Sequence, residues 1–367
     1  MKHLINENIF DIKPYRPGKP IEELKRELNL KHVIKLASNE NPHPIPDNVK
    51  EVIRKELVNV NIYPDSDSYY LKKKIAEYNN IDTENVIIGA GSVELIKSLI
   101  KLFLKPGEKV LTSEKTFLMY KIATIEMSSL NAYVEVEMTD DYKFDLNGFL
   151  EIMDEKTKII FITNPNNPTG TILGYKEIEE FINKVPDDKI IVLDNAYDEY
   201  VLYRDNYYDG IKESIKRKNL IVLRTFSKIY SLAALRVGYA IANEEIISFM
   251  NRVRAPFNIT TLSQKAAELS LDNENFKKMS AEINAKNREK LYNQLKSLGL
   301  KVIPSETNFL MFFPPMDIYV LHNQLLKRGV IIRPLKPFGV EDAMRVTVGL
   351  EHENDKFIEV LKEILNK

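Results

Sequence analysis

From residue 69 onward the chain alternates short apolar runs with stretches of helical periodicity. The runs at 86–88, 109–112, 132–136, 158–163, 190–194, 220–224 and 237–242 read as strands. Between them, 69–78, 93–103, 116–127 and 175–184 place apolar residues at helix spacing. Strands that are apolar on both faces and are separated by helices predict a largely parallel sheet covered on both sides. The texture changes after about residue 255. A long polar-rich helix is expected over 262–296, then strands at 301–303, 309–313, 330–333 and 344–348, with helices at 319–327 and 355–365. Ahead of all this, 21–30 reads as a short helix and the Pro-rich stretch 37–46 as a loop. The pattern predicts an α/β protein with a mostly parallel sheet and a smaller α+β domain. Its expected parts are an N-terminal arm, 1–34, packed with the small domain, a large domain, 35–255, and the small domain, 256–367.

Composition narrows the function classes. The chain has 367 residues, 44% of them hydrophobic and 29% charged, the balance of a globular protein long enough for two domains. A net charge of −1 gives no electrostatic footprint for nucleic acid or an anionic membrane. Cysteine is absent, which removes disulfides, thiolate nucleophiles and cysteine-ligated metals. The histidines, His3, His32, His43, His322 and His352, do not cluster at metal-ligand spacing. No apolar run is long enough to cross a bilayer, and residues 1–10 lack the apolar stretch of a secretory leader. The expected location is the cytoplasm.

Four segments at predicted strand ends carry chemistry. In Thr225-Phe226-Ser227-Lys228 a lysine follows a strand directly, with Arg236 eight residues on. That is where open α/β sheets place ligands. Hydroxyls and an arginine suit a phosphate, and a lysine suits imine chemistry. Asp194 ends another strand, with Tyr197 three residues later. A carboxylate there can pair with a protonated pyridine nitrogen, and the phenol can reach a ring oxygen. Asn164-Pro165-Asn166-Asn167-Pro168-Thr169-Gly170 is a rigid loop that presents asparagine amides. Gly89-Ala90-Gly91-Ser92-Val93-Glu94 joins a strand to a helix, whose first N–H groups favour phosphate. Each segment alone has an ordinary explanation, a surface lysine, a helix cap or a turn. Together they supply a phosphate cradle, a pyridine partner, a ring-oxygen donor and an amine.

With these segments in place the chain resembles the fold-type I pyridoxal-phosphate (PLP) aminotransferases, and among them the histidinol-phosphate aminotransferase family. The resemblance also rests on residues 14–20, 35–42, 62–65, 235–238, 306–309, 332–333 and 345–349. It implies that Lys228 forms an imine with the cofactor and then moves the proton of the 1,3-transfer. Asp194 would pair with the pyridinium, and Tyr197 and Asn167 would hold the 3′-oxygen. Ser92, Val93, Thr225, Ser227 and Arg236 would bind the cofactor phosphate, with Phe117 stacked on the ring. Tyr63 would reach the cofactor phosphate of a second subunit, which makes a homodimer the expected active form. Tyr15, Asn39, Arg333 and Arg345 would contact substrate, Arg345 gripping its anionic group. The implied substrates are L-histidinol phosphate and 2-oxoglutarate; the alternatives are an aromatic amino-acid aminotransferase and a threonine-phosphate decarboxylase-like lyase. The chain departs from the family pattern at Val93, Asn195 and Phe117.

Overall fold

The protein is described from a computed structural model, which covers residues 2–14 and 18–366. In chain order the strands are β1 (Ile34–Lys35), β2 (Val86–Gly89), β3 (Lys109–Ser113), β4 (Tyr133–Val136), β5 (Thr157–Thr163), β6 (Ile190–Asp194), β7 (Leu220–Thr225), β8 (Gly238–Ile241), β9 (Lys301–Ile303), β10 (Phe309–Phe313), β11 (Val330–Ile331), β12 (Arg333–Pro334) and β13 (Met344–Thr347). Seven form one sheet in the order β2-β8-β7-β6-β5-β3-β4. Only β8 runs against its neighbours, pairing antiparallel with β2 and β7.

Burial explains the apolar runs. Along β5, Ile159 and Phe161 pack into the layer on one face of the sheet, with Ile96, Leu99 and Tyr120. Ile160 and Ile162 pack into the layer on the other, with Phe149, Ile178 and Phe181. A strand buried on both faces has no solvent side to carry polar residues. Each fully buried Ile, Leu or Phe side chain stabilises the sheet by roughly 1.5–3 kcal/mol.

The smaller sheet is antiparallel, in the order β12-β13-β10-β9. One side of it packs on Leu291, Leu295, Leu321, Leu325, Phe357 and Leu361 from three helices, Glu274–Ser297, Ile318–Lys327 and Glu351–Leu365. β1 pairs parallel with β11, and Leu24 from the helix Ile21–Leu28 packs with Ile331, which ties the arm to this half.

The structure changes several element boundaries. The expected helix 262–296 is two, Thr261–Ser270 and Glu274–Ser297. Asp272 and Asn273 fall at the break, where Asn273 turns its amide back onto the carbonyl of Leu269 at 2.9 Å. Short polar side chains compete with helical hydrogen bonding in this way. Ala266 and Ala267 of the first piece pack with Val49, Leu71 and Ile75 of the large-sheet half. The expected strand 330–333 is also two, because β11 pairs with β1 and β12 with β13. The helix expected from residue 116 begins at Met119, since the Thr116 hydroxyl bonds to Asn166 at 2.9 Å. The helices Asp47–Glu56, Leu146–Ile152 and Glu244–Val253 were not expected.

Candidate functional site

A cleft of about 190 Å³ opens at the C-terminal ends of β5, β6 and β7 and is closed by the smaller sheet. Ser92, Val93, Phe117, Asn167, Asp194, Tyr197, Thr225, Ser227, Lys228, Arg236, Asn39, Arg333 and Arg345 all line it. Thirteen expected site residues, scattered over 300 positions of sequence, thus meet in one place.

One end of the cleft is built for a phosphate. The helix Ser92–Phe103 starts here, and its cap position, Gly91, supplies no side-chain partner for the first N–H groups. Gly91 has φ +71°, and a Cβ on it would meet Arg236 Nη2 at 2.6 Å. The guanidinium therefore lies directly against the glycine, beside the helix N-terminus. Arg236 Nη1 donates to Ser227 Oγ at 3.3 Å, and the Thr225 hydroxyl accepts from the Ser227 N–H at 3.1 Å. A fork, two hydroxyls and open backbone donors on a helix dipole fit a phosphate dianion. Gly238 permits this arrangement, because a Cβ there would sit 2.6 Å from the Ser92 nitrogen.

The middle of the cleft fits a pyridine ring. Asp194 is buried; its Oδ2 accepts from the Tyr120 hydroxyl at 2.7 Å and its Oδ1 from the Ala196 N–H at 3.2 Å. Burial pushes its carboxyl up to about 6, against the pull of those two hydrogen bonds and of Lys228. A buried carboxylate in that condition gains from a cationic partner such as a pyridinium. Tyr197 is pushed up to about 12, first by burial, with Arg345 and the Asn39 hydrogen bond opposing. Its phenol accepts from Asn39 Nδ2 at 2.8 Å, so the O–H remains free to donate to a ring oxygen. Phe117 lines the same space, its ring edge-on to Tyr120 at 5.7 Å. The polar groups thus fit pyridoxal phosphate at three points, with donors for the phosphate and the 3′-oxygen and an acceptor for the ring nitrogen.

Lys228 also lines the middle of the cleft. Its Nζ lies 3.4 Å from the Ser38 carbonyl oxygen and 5.5 Å from the centre of the Tyr197 ring. Beyond it, Arg345 donates from Nη1 to Asn167 Oδ1 and from Nη2 to the Ala37 carbonyl at 3.0 Å. Arg333 faces Arg345 directly across the β12–β13 ladder.

Two expected residues, Tyr63 and Tyr15, stand elsewhere or outside view, and Asn195, a departure from the family pattern, was not among the expected site residues. Tyr63 is 78% exposed, stacked on Phe257 at 4.7 Å and away from the cleft. Tyr15 lies outside the described residues. Asn195 does not line the cleft; its amide bonds the Asp209 carbonyl at 3.0 Å. The sequence reading missed Tyr120, Phe338, Gly18 and Ser38. Tyr120 sits three residues after Phe117, a spacing that by itself reads as core packing.

Comparison with known proteins places the chain in a family. Residues 31–361 match the family described as aminotransferase class I and II. A histidinol-phosphate aminotransferase of Moorella thermoacetica is 42% identical over 98% of this chain and 92% of its own. One from Caldicellulosiruptor saccharolyticus is 42% identical over 99% of this chain and 100% of its own. In structure, the histidinol-phosphate aminotransferase of Sinorhizobium meliloti, solved with pyridoxal-5′-phosphate, superposes with a TM-score of 0.89 at 24% identity, covering 99% of this chain and 97% of that one. The L-threonine-O-3-phosphate decarboxylase of Porphyromonas gingivalis shares the fold at a TM-score of 0.79 and 22% identity, covering 91% of this chain and all of its own. Family and whole-chain relatives coincide, and the chain belongs to the class I and II aminotransferases, within the histidinol-phosphate aminotransferase family.

Proposed function

We propose that the protein is a cytoplasmic, pyridoxal-phosphate-dependent aminotransferase that moves the amino group of L-histidinol phosphate to 2-oxoglutarate, yielding imidazole acetol phosphate and glutamate. The observation that carries this reading is a single cleft with a phosphate cradle at one end, Lys228 and Asp194 in the middle, and two arginines at the other. Relatives of that name at 42% identity over the whole chain support the substrate choice.

Bound pyridoxal phosphate supplies a carbonyl carbon that links to amines and a protonated ring that accepts the electron pair of a broken Cα–H bond. The residues do the rest. The Gly91–Val93 backbone, Ser227 and Arg236 hold the phosphate. Asp194 stays ionised against the ring nitrogen, and Tyr120 and the Ala196 N–H fix its orientation. The Tyr197 O–H and the Asn167 amide donate to the 3′-oxygen. Lys228 Nζ would hold the carbonyl carbon of the cofactor and, once released by the incoming amine, would be placed to move the substrate Cα proton. Arg345 and Arg333 orient the substrate by its anionic end. The same forks take the phosphate ester of one substrate and a carboxylate of the other.

A homodimer completes the reading, with Tyr63 reaching the phosphate cradle of the second subunit. Leu57, Val58, Val60, Ile62 and Tyr63 are all exposed, an apolar stretch that a second copy would cover.

Borohydride reduction of the purified protein followed by peptide mass mapping tests the cofactor assignment. The expected result is one pyridoxyl-phosphate adduct on Lys228 and no lysine adduct in Lys228→Ala. A modified lysine elsewhere in the wild type, with Lys228 unmodified, would overturn it.

A further inference from the structure

The loop between β12 and β13 folds back under the two arginines those strands carry. Leu335 donates to the Ala343 carbonyl at 3.0 Å, and Phe338 and Val340 donate to the Leu335 carbonyl at 2.8 and 3.2 Å. These bonds set a compact turn, and Gly339 at φ +81° leads the chain out of it. Phe338 ends up 3% exposed, anchored among Ile303, Met311, Leu335 and Val340. Its ring also lines the cleft. The Arg333 guanidinium carbon lies 5.5 Å from the ring centre and that of Arg345 lies 5.7 Å from it. Phe309 meets Arg345 from another side, at 5.1 Å.

Arg333 and Arg345 are direct partners in an antiparallel ladder, at 7% and 5% exposure. Like charges placed opposite each other on a sheet repel, and burial weakens the water that would screen them. An aromatic face offsets this, because its ring quadrupole attracts a guanidinium. One ring shared by both groups also fixes where they stand. His322, near Arg333, adds no charge, since burial and then Arg333 itself push it down to about 4.

We propose that Phe338 is a specificity-determining residue: it holds the Arg333 and Arg345 guanidinium groups side by side as a double fork that prefers a phosphate dianion to a carboxylate. A phosphate ester offers three terminal oxygens and can engage both forks at once, whereas a carboxylate offers two and fills one. Phe338 thus acts through the arginines. The proposal deepens the substrate reading above and rests on it.

The test compares PLP-loaded wild type with Phe338→Leu, which keeps an apolar side chain without the ring, and Phe338→Tyr, which keeps the ring. In Phe338→Leu the KM for L-histidinol phosphate should rise about tenfold, while the KM for glutamate in the reverse direction stays within about twofold and kcat within about threefold. Phe338→Tyr should match the wild type within about twofold for both substrates. Calorimetric titration of the holoenzymes with inorganic phosphate should weaken by a similar factor in Phe338→Leu only. Equal losses for both substrates, or a Phe338→Tyr protein that behaves like Phe338→Leu, would overturn the proposal. Should Phe338→Leu lose its melting transition, Phe338→Met takes its place. If the wild type fails to turn over L-histidinol phosphate, the substrate reading falls and the phosphate titration decides alone. Loss confined to the ringless variant then keeps Phe338 in its role, and equal binding in all three, or none in the wild type, removes it.

Discussion

Asp194 shows how a residue type becomes a function. A carboxyl at a strand end is common, but this one is fully enclosed, and burial raises it to about 6. Below that pH it holds a proton, which has to leave before the carboxylate can face a pyridinium. Cofactor affinity should therefore fall as pH drops through about 6. Tyr120 opposes the burial by donating at 2.7 Å, and it is itself held by stacking on Phe161 at 4.3 Å. A hydrogen bond to a charged group contributes about 1.5–3 kcal/mol, or about one to two pKa units. In Tyr120→Phe the break in a plot of PLP dissociation constant against pH should move upward by about one unit, measured by fluorescence titration of the apoprotein. An unmoved break would mean that Tyr120 only fills space. Lys228, Asp194, Tyr197 and Arg236 were legible in the sequence because imine and phosphate chemistry restrict the residue type and strand ends restrict the place. Tyr120 and Phe338 were not, because an aromatic at helical spacing or in an apolar loop reads as core, and each is core as well.

Among the elements, the strands of the large sheet were the most legible. Burial on both faces leaves a continuous apolar run, and β6 and the helix Tyr175–Lys184 fall where the pattern puts them. Elements whose bounds depend on partners were not legible. β11 and β12 are adjacent in sequence, and only their separate pairings with β1 and β13 divide them. The break after Ser270 needed the weak signal of Asp272-Asn273 inside a strong helical pattern. The reversed direction of β8 is likewise a consequence of its short connection from β7, in which Arg236 adopts a left-handed φ of +56°. That same connection carries Lys228 and Arg236, so the turn that reverses the sheet also assembles the amine and the phosphate fork.

At the scale of the molecule, the site is a seam between two sheets. β5, β6 and β7 end at the proposed cofactor groups, β12 and β13 carry the proposed substrate forks, and Asn39, which bonds Tyr197, joins the two sides through the Thr347 hydroxyl at 3.2 Å. Leu57, Val58, Val60 and Ile62 stay exposed in the described chain, which is why the proposed second subunit enters here. Ile62→Glu should convert a dimer to a monomer by light scattering and weaken PLP binding at least tenfold. A monomer with wild-type affinity would remove Tyr63 from the shared site. The identity of the amine can be read from single-turnover half-reactions of the PLP-loaded protein with L-histidinol phosphate, phenylalanine and threonine phosphate. L-histidinol phosphate should bleach the visible band fastest, and 2-oxoglutarate should restore it with one equivalent of glutamate. No bleaching by L-histidinol phosphate, faster conversion by phenylalanine, or release of carbon dioxide from threonine phosphate would contradict that assignment.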